Sequence, residues 1–322
     1  LNLDKCFKSS LINKDQRYRD FKNYFFNLYS KMHFFYPLED FKRVHIASFN
    51  DFINSFLNKK SNDKITIIGD ASLKDITELN KEEYEKVFNF FDTFLQDNQN
   101  KLLSWVLSCF HSFYYIDVIK DGKIVIIIEN KDTFFYLMYI NIKSNIKVFL
   151  NKKTEIDFLI ECLAINLEPG ANLNYLEEQR SKNNFSFNKF FIKNHANLEH
   201  NIKLMSNELS IFEYLYFLKT KSSLNSQGSF LLKDCDNVNI KTVQNHIGDF
   251  ASSNLSFKSI VDKQAHFNHQ ALINIFEYVG SKARFDLEAF LFSNEAKASL
   301  IPKLQVNNND VDCYHSAKIK NL

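Results

Sequence analysis

Apolar and polar positions change their period about a third of the way along the chain. Over residues 15–34, Phe21, Tyr24, Phe25 and Leu28 recur at roughly helical spacing among basic positions, which predicts an amphipathic helix. Asn80 with Glu83 three residues on is a capping-box pattern. It opens a second predicted helix whose Tyr84, Val87, Phe88, Phe91 and Leu95 share one face. Such an aromatic stripe reads as core packing, given how often Phe is buried. Residues 101–113 continue as a third, more apolar helix. The uncharged stretch Leu102 to Ile116 is too short for a membrane span of ~20 residues. It also carries Ser104, Ser108, His111 and Ser112, so a buried helix followed by a strand is the better reading.

After Ile116 the pattern becomes β-like. Asp121-Gly122 sits between the runs Tyr114–Ile119 and Lys123–Ile128, a hairpin signal. Runs such as Phe134–Ile140, Ile146–Leu150, Ile156–Leu167, Phe185–Ile192, Phe230–Leu232 and Phe290–Phe292 follow, with an ambiguous stretch at 206–220. Parallel βα units would need intervening helices, so a sandwich, a barrel or a β-solenoid remains. Corner-like pieces recur before extended runs, placing Ala171, Ala196, Ala283 and Ala296 at turns. One corner per rung is what a solenoid requires. The spacing is irregular, however, with 25 residues between the first two alanines and 13 between the last two.

Composition narrows the function. The 322 residues include 34 Phe and 14 Tyr but one Trp, and the formal charge is only +2. That balance excludes a strongly basic nucleic-acid binder. Only five basic residues are arginine (17, 19, 43, 180, 284), so the abundance of Lys and Asn points to an AT-rich coding sequence and is discounted as a functional signal. The lysines are scattered and read as a solvated surface. The six glycines are isolated, so no glycine-rich phosphate loop exists. Cysteines 6, 109, 162, 235 and 313 lie far apart with no CxxC, which predicts a reducing, cytoplasmic setting. No signal peptide opens the chain, and no nucleic-acid or membrane partner is expected.

Candidate chemistry concentrates in the last strand. Val311, Cys313, His315, Ala317 and Ile319 share one face by period two, and Asp312, Tyr314, Ser316, Lys318 and Lys320 share the other. The plain reading is a half-buried strand with a core cysteine and a satisfied histidine. The sharper one is a metal-ligand pair of thiolate and imidazole, whose remaining ligands would come from elsewhere. The pairs His266/His269 and His195/His200 read as ordinary polar positions. His246 beside Ser252-Ser253 lacks the nucleophile-elbow sequence of a serine hydrolase. Glu177-Glu178 and Glu82-Glu83 are chain neighbours that point apart, so no carboxylate pair stands out.

From Gln244 to Ile319 the pieces stand in an order that resembles the SufB/SufD family of iron–sulfur cluster assembly proteins. They are His246, Ser252-Ser253, Phe257-Lys258-Ser259-Ile260-Val261-Asp262 and His266-Phe267-Asn268, then Leu291-Phe292-Ser293-Asn294-Glu295-Ala296, Pro302-Lys303-Leu304-Gln305-Val306 and Asp310-Val311-Asp312-Cys313-Tyr314-His315-Ser316-Ala317. The Cys before the His is most like SufD. Upstream, Leu107 to Ile128 is similar to the start of the family's β-core. Two family glycines are replaced by His269 and Ser316, which implies altered corners or drift under codon bias. Phe285 and Leu287 stand where SufD-like chains carry polar residues.

The resemblance implies a mainly β fold with α. A helical N-terminal region, residues 1–113, precedes a right-handed parallel β-helix core, residues 114–322. The family's C-terminal helical domain, which docks the SufC-like ATPase, is missing from this sequence. The implied role is non-enzymatic: a SufD-like subunit of a scaffold, pairing through β-helix ends with a SufB-like protein as a heterodimer. His315, with Cys313 as secondary candidate, is then the implied ligand to a nascent iron–sulfur cluster shared with the partner, and no cofactor is intrinsic. The rivals are a β-solenoid interaction module without metal, and a β-helix carbohydrate-active enzyme, for which no carboxylate cluster is visible.

Overall fold

The computed structural model describes residues 15–31, 65–98, 101–205, 208–275 and 277–322. Cys6, residues 32–34 of the first predicted helix and the side chain of Leu95 lie outside that description. The three predicted helices are present as α1 (Gln16–Lys31), α2 (Lys81–Asn98) and α3 (Lys101–Cys109). The capping box before α2 closes reciprocally. The Glu83 amide donates to Asn80 Oδ1 at 2.9 Å, and the Asn80 amide donates to the Glu83 carboxylate at 2.9 Å. Two orphan donors of the first turn are thus satisfied, contributing about 1 kcal/mol. Among the described residues between α1 and α2 lie two short strands, β1 (Ile65–Ile68) and β2 (Ser72–Lys74).

The rest is a parallel β-solenoid of about eight turns. It opens with β3 (Ser112–Val118) and three strands of 21 residues, β4 (Gly122–Ile142), β5 (Lys147–Leu167) and β6 (Asn172–Ile192). Each long strand bends round to serve both faces of the coil. Shorter strands follow: β7 (Asn197–Met205), β8 (Leu209–Leu218), β9 (Ser223–Leu232), β10 (Asn237–His246) and β11 (Ser252–Val261). The last four are β12 (His266–Ile275), β13 (Ser281–Leu291), β14 (Lys297–Val306) and β15 (Val311–Asn321). One face stacks the first halves of β4–β6 and then β7, β9, β11, β13 and β15. The other stacks β3, the second halves of β4–β6, and then β8, β10, β12 and β14. Stacked positions are 25 residues apart at Asn172 and Asn197, 29 apart at Asn225 and Asn254, and 30 apart at Asp286 and Ser316. The turns lengthen because explicit corners replace bends within strands. The ambiguous stretch at 206–220 contains β8.

Three local expectations need correcting. Asp121-Gly122 does not close a hairpin. β3 pairs in parallel with the far half of β4, Ser112 opposite Tyr136, so the dipeptide is a solenoid corner, and Asp121 Oδ1 accepts the Lys147 amide of the next rung at 2.8 Å. The lysines are not all solvated, since Lys22, Lys152 and Lys189 are buried. His269 and Ser316 do not alter corners. Both sit mid-strand, one pointing into the coil and one outward.

Stacking explains much of the composition. Asparagines meet across rungs at Asn166–Asn141, Asn197–Asn172, Asn254–Asn225 and Asn274–Asn245, with amide contacts of 2.8–3.1 Å. A side-chain amide both donates and accepts, so an asparagine ladder satisfies itself along the coil. At one corner Asn145, Gly170 and His195 hold the same left-handed position in successive turns, with φ of 60°, 73° and 60°. Asn and Gly tolerate that region best. Inside the coil Gly228 makes room for the ring of Phe257, which a Cβ there would strike.

Two cores result. One fills the coil between its faces, with Ile126, Leu163, Leu173, Phe190, Leu198, Leu218, Ile240, Leu255 and Phe285. The other lies outside the second face. There Phe21, Phe25 and Phe91 of α1 and α2 cover Leu137, Tyr139, Ile160, Phe187 and Ile211. Each such side chain contributes roughly 1.5–3 kcal/mol on burial.

Candidate functional site

The last turn is the only one whose inward row has no rung above it among the described residues. β15 pairs with β13, and β14 with β12, and neither has a further neighbour along the stack. Cys313 lies opposite Ala283, His315 opposite Phe285 and Ala317 opposite Leu287, all buried residues of the inward row. The alternation read from the sequence therefore holds: Val311, Cys313, His315, Ala317 and Ile319 continue the core. They do so at an open end, where His315 is exposed and Cys313 half-buried. The imidazole stands edge-on over the Phe285 ring, centroids 6.1 Å apart at 82°. Across the coil, Ala298 and Leu300 of β14 continue the inward row above Phe267 and His269.

The opposite face of β15 is tied to the rung below. Ser316 donates to Asp286 at 2.6 Å, and the Arg284 guanidinium stacks on Tyr314 at 5.0 Å. These contacts fix the strand and hence where His315 points. Burial raises the Cys313 thiol, Asp312 raises it further, and the Ala283 backbone partly offsets both. The thiol is therefore protonated at neutral pH, and metal binding there must displace a proton. Among the described residues no group of three or more His, Cys, Asp or Glu side chains could hold a metal ion. Cys313 and His315 thus present at most two ligands of an incomplete set.

Sequence reasoning missed a second cluster, deep in the coil. Lys152 of β5 lies between two carboxyl groups, 2.7 and 2.8 Å from the oxygens of Glu161 and 3.0 Å from Glu177. Glu161 also accepts from Ser186 at 2.6 Å and from the Tyr136 hydroxyl. Glu177 accepts from His200 Nε2 at 3.3 Å and from Tyr214 at 3.4 Å. Burial pushes the His200 imidazole down against the pull of Glu177, so it is neutral and its one proton sits on Nε2. Nδ1 then accepts from the Tyr216 hydroxyl at 3.0 Å, and Tyr216 accepts from Ser226 at 3.3 Å. Burial raises the Glu177 carboxyl, but Lys152 and His200 hold it at about 2. Burial lowers Lys152, and the two glutamates more than reverse this. The donors are matched to the carboxylates, so this cluster reads as an internal lock between turns.

The other histidines separate. His266 faces outward and His269 inward, so their spacing of three does not make a pair. His269 is buried against Phe257 and Phe267, shares a hydrogen bond with Thr242 at 3.2 Å through Nε2, and is held neutral by burial with a pKa of about 3. His195 is an exposed corner, whereas His200 belongs to the lock. His246 does reach Ser253, at 2.7 Å. Both are buried and the imidazole is pushed down to about 4, so the pair braces a corner and offers no open nucleophile. Glu177 and Glu178 point apart as expected, one into the lock and one outward to Lys153 and Lys203.

Among the described residues no helix is long and apolar enough to cross a membrane. No curated protein matches the chain. A scan against protein-family models matches residues 124–322 to the SufBD core domain of the SUF system of FeS cluster assembly.

Proposed function

The chain belongs to the SufBD core family of FeS cluster assembly, and from that premise we propose that it is a SufD-like, non-enzymatic scaffold subunit. In this reading it pairs through the open end of its coil with a SufB-like protein. His315 supplies one ligand to a nascent cluster, which is cargo shared across the interface. The observation that carries the reading is the placement of His315 on the inward row of a turn that no other described residue stacks upon. An unpaired strand edge above an apolar core is a surface that another chain completes. The partner would supply the missing ligands, since two cannot close a tetrahedral site. Cys313 is the secondary ligand because its thiol must first lose a proton held by burial. The described cysteines 162, 235 and 313 are free, which supports a reducing compartment such as the cytoplasm. A SufC-like ATPase is the third expected member of the complex, and no residue here is assigned to it.

The test is anaerobic co-expression with SufB- and SufC-like counterparts, comparing the wild type with His315→Ala and Cys313→Ser. The expected result is normal complex recovery for all three, iron per complex at background for His315→Ala, and a partial loss for Cys313→Ser. Stability of the isolated His315→Ala chain should change by no more than about 0.5 kcal/mol, as for an exposed position. The second reading is an interaction module without metal, in which Cys313 and His315 only extend the inward row of β15. Unchanged iron in His315→Ala would establish it in place of the first.

A further inference from the structure

The outward side of the first face carries an apolar ladder unrelated to the open end. Met205, Leu231, Ile260 and Phe290 occupy one register position in β7, β9, β11 and β13. Outward positions of a solenoid ordinarily face water, yet Met205 is 44%, Leu231 40% and Ile260 41% exposed. Phe292 (50%) and Leu322 (71%) widen the ladder at the neighbouring corner. Together they line a groove of about 560 Å³. Singly exposed apolar residues need no explanation, but a contiguous row of this kind marks an interaction surface.

The rim is basic. In the row beside the ladder stand Lys203, Lys258 and Lys318, and Lys320 lies 5.0 Å over the Phe290 ring. The acids among them make loose side-chain pairs, Glu178 with Lys203 at 3.4 Å and Lys153 at 3.6 Å, and the partly buried Glu288 with Lys320 at 3.2 Å and Lys258 at 3.9 Å. Such pairs are weak and leave the ammonium groups open to a better partner. The dimensions are specific as well. Stacked strands repeat every ≈4.8 Å, so four rungs span roughly 15 Å, close to three turns of an α-helix.

We propose that this ladder is a docking groove for an acidic amphipathic helix of a partner protein, lying along the solenoid axis. Apolar side chains spaced i, i+3/i+4 and i+7 on that helix would meet successive rungs, and flanking Glu or Asp would face Lys203 and Lys258. The groove lies on the outer side of the coil, so the proposal does not depend on the cluster-ligand reading.

The test titrates the chain with a fluorescent 16-residue amidated helical peptide carrying Leu at those spacings and Glu on its flanks. A twin peptide has Lys in place of Glu. The expected result is that the acidic peptide binds at least tenfold more tightly than its twin, with affinity falling as salt is raised. The double variant Leu231→Ser/Ile260→Ser should lose at least tenfold while keeping the wild-type circular dichroism and melting curve. Equal binding of the two peptides, no binding of either, or full retention in the variant would overturn the proposal. So would sedimentation showing a dimer of this chain that the double variant abolishes, or binding to phosphatidylglycerol vesicles in preference to the peptide.

Discussion

Lys152 shows what a residue costs when its partners are fixed by the fold. Its ammonium is buried and satisfied only by Glu161 and Glu177, themselves fully buried. Removing one member of such a set strands the others in a dry interior. Lys152→Met should therefore destabilise the chain by about 3–5 kcal/mol in urea denaturation, and adding Glu161→Gln and Glu177→Gln should recover part of that loss. A loss under about 1 kcal/mol for the single variant would mean that the carboxyls find water or other donors. The sequence did not reveal this cluster. Lys152 sits between Asn151 and Lys153, so local polarity gives no parity, and its nearest partner across rungs, Glu177, lies 25 positions on. By contrast, the row of Cys313 and His315 was legible because it needs only the two-residue period of one strand. Its position at the end of the described stack is a property of the whole coil and left no local mark.

At the scale of elements, short-range devices were readable and long-range pairings were not. The Asn80–Glu83 box is closed within four residues and was found. The hairpin at Asp121-Gly122 was misread because turn residues look alike whether the chain returns antiparallel or climbs to the next rung. The attachment of α2 to the coil belongs to the second class. Lys86 of α2 donates to Glu168 at 2.9 Å, and Lys193 donates to the same carboxylate at 2.6 Å from the next corner. Burial raises this carboxyl, but the two lysines hold it down at about 2. Its folded value thus lies below the ordinary glutamate value of roughly 4.3. The stabilisation is present above that unfolded value and is lost as pH falls from there through about 2. Glu168→Gln should lower stability at pH 7 and flatten the acid limb between pH 4.5 and 2, read as urea midpoints across that range. A wild-type slope in the variant would show that other carboxyls carry the acid transition.

For the whole molecule, the irregular corner spacing becomes intelligible once the coil is known. Ala171 and Ala196 hold equivalent corners one full turn apart, whereas Ala283, expected at a corner, lies inside β13, and Ala296 holds the corner before β14 on the other face. A solenoid distributes its stability between neighbouring rungs, so a rung with one neighbour is held about half as well as one with two. The first turns are covered by β1, β2 and the helices, through Ile65 opposite Ile128 and the aromatic layer of α1 and α2. The last turn leaves Leu300, Val306, Val311 and Cys313 only partly buried at the end of the core. Backbone amides of β14 and β15 should therefore exchange at least about tenfold faster than those of β8–β11, with a gradient along the coil and no single cooperative step. The same measurement distinguishes an edge that is merely frayed from one that is an interface. Adding the SufB-like partner should protect β14 and β15 selectively and leave the middle turns unchanged, because a chain that completes the stack supplies the neighbour those strands lack. Uniform protection in the isolated chain would show that the end turn is as well held as the middle, and the physical case for a partner at that edge would fall with it.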